Sequence, residues 1–433
     1  MSESVAGRVA RFAYATVLRV VAPLYALRVL WRGRREPLYG EHLGERFGLY
    51  HATSPGDALW IHAVSLGETR AAGALIAALR VAVPGLRIVL TNVTATGRAA
   101  GRELLRDGDE QAWLPFDTPG GARRFLRRFR PSAGVLMETE IWPNLLAETR
   151  TAGLPVVLAN ARLSERSRRR GQRVDVVMRP AFESLALVLA QSQADAVRLK
   201  DAGARDVRIV GNLKFDMAPD PALQAVGRRW KEIAGRPVVL AAITREGEEV
   251  LLLTAWRNVA EPRPLLVVVP RHPQRFETVA DLVIATGFKL VRRSMWEAMP
   301  PASAAAADVW LGDSMMEMAA YYALADIALL GGSFLPLGGQ NLIEAAACGC
   351  PIVMGPHTFN FADAAMLSLA AGASVRVETM DDGVAVAIAE LGGETLARQA
   401  QAALSFAASH QGAAARSAAA IAAILSPAGA RSA

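Results

Sequence analysis

The chain has only two cysteines in its 433 residues, Cys348 and Cys350. A disulfide framework is thereby excluded, and an i, i+2 pair with no neighbouring histidine is not a zinc pattern. Both thiols are expected as small buried residues at a helix end, in a reducing compartment. Long apolar runs are also missing. Residues 8–31 are mostly apolar, but Arg8, Arg11, Arg19 and Arg28 interrupt them, and the longest charge-free run covers only residues 20–27. A spanning helix needs roughly 18–20 apolar residues. A secretory signal needs an unbroken apolar centre and small residues before a cleavage site, and neither occurs. No arginine-rich stripe interleaved with aromatics is present, which argues against nucleic acid as a partner. HExxH, GxSxG, tandem CxxC, the Walker G-K-[ST] and a first-strand GxGxxG are all absent. Metalloprotease, serine-hydrolase, P-loop and nicotinamide readings lose their support with them. Nor does an acidic DxD-type pair end a strand to hold a metal–nucleotide complex. Neither a metal nor a cofactor is expected.

What is present suits a soluble two-domain enzyme. Hydrophobic content of 52% with 21% charged residues supports an ample core, and the length implies more than one domain. The net charge of +7 is concentrated: residues 1–35 hold seven Arg and one Glu, a net +6, leaving +1 elsewhere. That segment reads as a helix with Arg8, Arg11 and Arg19 on one face, flanked by Tyr25 and Trp31, followed by Arg32, Arg34 and Arg35. Such a helix suits the interface of an anionic membrane; the alternative is a helix packed on its own domain. A second basic run, Arg166, Arg168, Arg169, Arg170 and Arg173, is either a solvated face or an anion contact.

From residue 58 short apolar runs alternate with amphipathic stretches. Strands are expected at 58–64, 87–93, 111–116, 134–138, 155–160, 187–191 and 207–211, then at 237–243, 265–270, 288–292, 308–311, 326–330, 351–354 and 373–377. Helices such as 68–80, 94–106, 119–129 and 193–202 lie between them. The pattern predicts an α/β chain of two doubly wound, Rossmann-like domains facing a cleft. The expected division is an N-terminal membrane-associated helix over 1–35, a first domain over 36–216, a linker over 217–235 and a second domain over 236–425. Ala-rich helices (roughly 382–424) should close the second domain, with 426–433 as a frayed tail.

Short polar and glycine-bearing strings follow the strands: IHAVSLGE (61–68), METEIWPN (137–144), NARLSERS (160–167), GNLKFD (211–216), PRHPQRF (270–276), GGSFLPLGGQNLIEAAACGCP (331–351) and GPHTFNF (355–361). Ligands of open α/β sheets bind at that carboxyl edge. Glu68 opens a helix after Gly67, either as a dipole-stabilised first-turn residue or as a functional carboxylate. Glu138 and Glu140, two apart on an expected strand end, should point to one face, a costly juxtaposition without a proton, cation or hydroxyls to share. Arg162 and Lys214 are surface cations or hold an anionic substrate. Arg271, set between Pro270 and Pro273, suits phosphate or carboxylate. Gly331, Gly332, Gly338 and Gly339 are expected to let backbone approach a phosphate at the helix opening near Asn341, with Glu344 one turn in and able to accept ribose hydroxyls.

Taken in order, these strings resemble the 3-deoxy-D-manno-octulosonic acid (Kdo) transferase family of Gram-negative bacteria, over about residues 37–405. The resemblance implies a GT-B fold and an inverting transfer of Kdo from CMP-Kdo to lipid IVA in lipopolysaccharide biosynthesis, with CMP released and no metal bound. It further implies an anionic inner membrane as partner, with the enzyme on the cytoplasmic face. The family's proton acceptor falls on Glu68, and its acidic strand-end motif on Glu138 and Glu140. Its CMP contacts fall on Pro270 and Arg271, on Asp313, Ser314, Met315, Met316 and Glu317, and on Asn341, Leu342, Ile343 and Glu344. Arg162 and Lys214 would hold the Kdo carboxylate or lipid phosphates. This chain departs from the family pattern at Met316, in place of Gly, at Gln340, in place of His, and at Leu342, in place of Pro. A lipid A disaccharide synthase or a UDP-sugar 2-epimerase would share the fold; METEIWPN and GPHTFNF favour the Kdo reading.

Overall fold

Apolar runs as short as LWIH and as long as VVLAAIT are buried along most of their length, the signature of parallel strands covered on both faces. The computed structural model describes residues 5–34, 36–50, 54–216 and 218–425, so Arg35, the linker's first residue Met217 and the tail 426–433 lie outside the described residues. All fourteen expected strands are present, within a few residues at each end. β1 Leu59–His62, β2 Ile88–Asn92, β3 Glu110–Trp113, β4 Ala133–Met137, β5 Val156–Ala161, β6 Leu187–Ala190 and β7 Val207–Ile209 form one sheet in the order β3-β2-β1-β4-β5-β6-β7. β8 Val238–Thr244, β9 Leu265–Pro270, β10 Leu290–Arg292, β11 Val309–Leu311, β12 Ile327–Leu330, β13 Ile352–Met354 and β14 Ser374–Arg376 form a second, in the order β10-β11-β9-β8-β12-β13-β14. Every pairing is parallel.

Both sheets wind outward from their first strand in two directions. The strand order therefore reverses between β1 and β4 in one and between β8 and β12 in the other, and such a reversal opens a crevice at the carboxyl ends. Alternation along each strand feeds two cores: Leu59 and Ile61 face one, Trp60 the other. Burying each such side chain stabilises by about 1.5–3 kcal/mol.

Two compact units result, Met1–Met217 with Gln411–Ala433, and Ala218–His410. This division corrects two expectations. The stretch 217–235 is not a linker but largely a helix, Pro221–Ala234, capped by the Asp220 side chain on Ala222 N–H and closed by left-handed Gly235. Pro219, Asp220 and Pro221 suggested a break, yet Asp followed by Pro is also how a helix starts. This helix packs against Met318–Leu324 so closely that a Cβ on Gly227 would lie 2.0 Å from the Ala320 carbonyl oxygen. The second correction concerns the C-terminal helix Ala413–Leu425. It leaves the second unit and packs on Leu66–Ala82 of the first. Asp216 takes the N–H groups of Gly412 and Ala414, and Arg416 donates to the Val210 carbonyl at 2.8 Å.

The N-terminal helix runs continuously over Val5–Gly33. Ala15, Ala22, Ala26 and Val29 are its buried stripe, and Tyr14 Oη donates to Asp117 at 3.0 Å. At ~100° per residue Arg8, Arg11 and Arg19 border that stripe. The outward face is consequently apolar, with Val9, Val17, Val20, Leu24, Leu27 and Trp31 all exposed. By length and composition Gly7–Gly33 suffices to cross a membrane, which its short charge-free runs had argued against.

Candidate active site

In the first sheet the reversal point carries a group of carboxylates. After β1 the chain turns through Ser65, which caps the helix Leu66–Ala82 by accepting from Glu68 N–H. Glu68 answers in kind: Oε1 accepts the Ser65 hydroxyl and Oε2 the Val64 N–H, each at 2.9 Å. The S-x-x-E spacing thus fixes the carboxylate as a capping box does. Burial raises the Glu68 pKa above the usual carboxylate range, those two bonds oppose the rise, Glu138 adds to it, and Lys214 offsets it.

Glu138 and Glu140 arrive by a route the sequence did not suggest. β4 ends at Met137, and Glu138 adopts a left-handed backbone (φ 57°), so a turn and not strand alternation aims the two side chains. The turn is tied by Glu138 N–H to Ala159 O at 2.9 Å and by Arg162 N–H to Glu138 O at 3.3 Å. Glu138 Oε1 pairs with Lys214 Nζ at 3.0 Å. Burial pushes Glu140 up to about 7, with Glu68 and Glu138 contributing repulsion and the Trp142 indole pulling the other way. Strand ends β1 and β4 and the loop after β7 thereby unite Glu68, Glu138, Glu140 and Lys214 around one locus, and the end of β5 brings the Arg162 backbone to it.

Sequence reasoning missed Asn160. Fully buried and left-handed (φ 52°) at a bulge in β5, it accepts Leu213 N–H through Oδ1 at 3.0 Å and so places the loop bearing Lys214. Its signal was an Asn at a strand end, a residue type that tolerates this backbone.

In the second unit, Pro270 ends β9 and Arg271 N–H binds Thr244 O at 2.9 Å. His272 is held below its usual pKa by burial and by Arg245, Arg271 and Arg275 around it, a concentration of positive charge suited to an anion. Arg245, after β8, is a further residue the sequence reading passed over.

The segment from Asp313 is spent partly on structure. Asp313 is buried and accepts from Arg292 Nε (2.7 Å), Ser294 N–H (2.8 Å) and the Ser294 hydroxyl (2.6 Å). Ser314 bonds the Tyr321 hydroxyl at 2.7 Å and Glu317 pairs with Arg293 at 2.7 Å. Met315 and Met316 project outward, Met316 with a left-handed backbone (φ 69°). Asn341 caps the short helix Leu342–Ala347 by accepting Ile343 N–H; Leu342 and Ile343 are core residues, while Glu344 is half-buried.

The first glycine pair is not a phosphate cradle. A Cβ on Gly331 would lie 2.3 Å from Ile243 O, so its smallness serves strand-to-strand approach, and the N–H groups of Gly332 and Phe334 are taken by Glu248. Both cysteines are free, Cys350 buried and Cys348 half-buried. Among the described residues no group of three or more His, Cys, Asp or Glu is placed to hold a metal ion.

Comparison with known proteins is consistent with this layout. The sequence profile of the 3-deoxy-D-manno-octulosonic-acid transferase (kdotransferase) family matches residues 41–217. A 3-deoxy-D-manno-octulosonic acid transferase from Bordetella pertussis is 45% identical over 419 residues, 93% of this chain and 96% of the relative. The Haemophilus influenzae enzyme of the same name is 35% identical over 361 residues, 81% of this chain and 83% of the relative. A glycosyltransferase structure from Rickettsia africae, 13% identical, superposes with TM-score 0.57 over 86% of this chain and 99% of that one. That likeness speaks to the fold, which is the expected GT-B class.

Proposed function

The chain belongs to the Kdo transferase family of glycosyltransferases, and from that premise we infer that it transfers Kdo from CMP-Kdo to lipid IVA, with inversion and release of CMP. The observation that carries this reading is the coupled group at the first sheet's reversal point: Glu68 held by Ser65 and Val64, beside Glu140, Glu138 and Lys214.

Glu68 accepts the proton of a lipid hydroxyl as that oxygen forms a bond to C2 of Kdo. The bond from C2 to the phosphate oxygen breaks, and its electron pair leaves with CMP. Burial makes Glu68 a stronger base than an exposed carboxylate, and Lys214 favours its ionised form. Arg271 and Arg245 neutralise the charge that develops on the departing phosphate. The backbone of Met315 and Met316, with Asn341 and Glu344, meets the nucleoside, and Arg162 meets an anionic group of the donor sugar or lipid.

The N-terminal helix supports a place on the cytoplasmic face of an anionic inner membrane. Its stripe of Ala15, Ala22 and Ala26 faces protein, and its outward apolar face meets lipid, with Arg32 and Arg34 at one end. Mass spectrometry of lipid IVA after incubation with enzyme and CMP-Kdo tests the reading. A gain of one or more Kdo units that disappears in Glu68→Ala is expected; a folded, CMP-binding protein that adds no mass would refute it.

A further inference from the structure

At the second sheet's reversal point the crevice is filled from within. Glu248 opens the helix Glu248–Trp256 and has no exposed surface. Its Oε2 accepts Arg245 N–H at 2.9 Å and Gly332 N–H at 2.7 Å, and its Oε1 accepts Phe334 N–H at 3.1 Å. These donors come from two loops, one after β8 and one after β12, on either side of the reversal. The adjacent Glu249, also without exposed surface, accepts the Thr244 hydroxyl at 2.9 Å and pairs with Arg275 at 2.8 Å, which adds the loop after β9.

The backbone is bent to make this possible. Ile243 has a left-handed φ of 59°, a costly conformation for a β-branched residue, and the β8–β9 register shifts between Ala242 and Thr244. The shift sends Thr244 O to Arg271 N–H and Arg245 N–H to Glu248.

Converging backbone N–H groups at this edge of a sheet ordinarily cradle a ligand's anion. Here the protein supplies its own. Burying a carboxylate costs more than burying an apolar side chain of like size, so stability alone is a poor reason for it. Its distinctive effect is to join three loops in one geometry before any ligand arrives.

We propose that Glu248 is a positioning residue for the nucleotide donor. It acts as an internal anion, locking Arg245 and the Gly332–Phe334 turn that leads on to Asn341, while Glu249 holds Arg275 and the Arg271 loop. The inference rests on the CMP-Kdo reading above. Preformed loops bind tightly because little ordering remains to be done on association.

Glu248→Gln in the full-length chain tests it. The amide keeps the volume but turns one acceptor into a donor facing backbone N–H groups. CMP affinity by calorimetry and the donor KM should both weaken about tenfold, with kcat within about threefold and acceptor KM unchanged. Amide exchange over 331–335 should accelerate. A variant with lowered melting temperature but unaltered CMP affinity and donor KM would show a purely structural role and overturn the proposal. Should Glu248→Gln not fold, Glu248→Asp carries the same test: it keeps the charge but withdraws the carboxylate, and unaltered donor KM again overturns the idea. A wild-type chain that does not bind CMP refutes the donor reading itself, and this inference with it, before any variant is made.

Discussion

Lys214 Nζ lies 3.0 Å from Glu138 Oε1, with both side chains 18% exposed. Two left-handed backbones bring them together: Glu138 at φ 57°, and Asn160 at φ 52°, whose side chain anchors the Lys214 loop. Each costs about 1 kcal/mol relative to ordinary geometry. Both stand where the chemistry is proposed, on the sheet edge that carries Glu68.

Replacing Lys214 by Met should change the acid side of the reaction. Lys214 lowers the Glu68 pKa by stabilising its anion, so without it Glu68 holds its proton to higher pH. The acidic limb of the kcat/KM profile should move upward, with the loss greatest at the acid end of the profile. A limb that stays in place would separate Lys214 from the base.

Glu140 should make the protein less stable as pH rises. Its folded pKa, about 7, exceeds the unfolded carboxylate value, so the folded state binds the extra proton between them. The stabilisation is complete below the unfolded pKa, near 4.3, and is lost as pH passes 7. Glu140→Gln should therefore stabilise by on the order of 1–3 kcal/mol at pH 8 and much less at pH 5. Urea unfolding at both pH values measures this; equal shifts at the two would contradict it.

The outward face of the N-terminal helix should be separable from folding. Leu24 and Leu27 are 64% and 63% exposed. Leu24→Glu with Leu27→Glu should reduce partition into anionic vesicles at least about tenfold, since each buried Leu contributes about 1.5–3 kcal/mol. Melting temperature and CMP binding should not change. Undiminished sedimentation with vesicles would locate membrane contact elsewhere.

Gly227→Ala offers a check on the helix that replaced the expected linker. Helix propensity favours Ala by about 1 kcal/mol, but the new Cβ would meet the Ala320 carbonyl oxygen at 2.0 Å, and backbone does not yield readily. A net loss of about 1–3 kcal/mol is expected from overpacking. Stabilisation, seen as a raised melting temperature, would mean that the two helices are not in contact there.

The strands were legible because a parallel strand covered on both faces is a continuous apolar run, and LLVVVP or IALL can be little else between polar turns. Glu68, Glu138, Glu140 and Lys214 were legible because strand ends and helix starts place polar residues on one edge. Asn160 and Arg245 also stand at carboxyl edges, one on each sheet, but their types carry no signal strong enough to separate them from ordinary turn residues. Glu248 drew no attention in the sequence, and only its partners on the loop after β12 show its place.

By itself, then, the sequence determined the two sheets, the carboxyl-edge strings and the family, since these follow from local periodicity and short motifs. Tertiary structure alone decided that Pro221–Ala234 is a packed helix, that Ala413–Leu425 returns to the first unit, and that Gly331 makes room for Ile243 O rather than for a phosphate. Each of these depends on a partner distant along the chain. Local pattern fixes which side chains must be buried, but not which remote surface or backbone group will cover them.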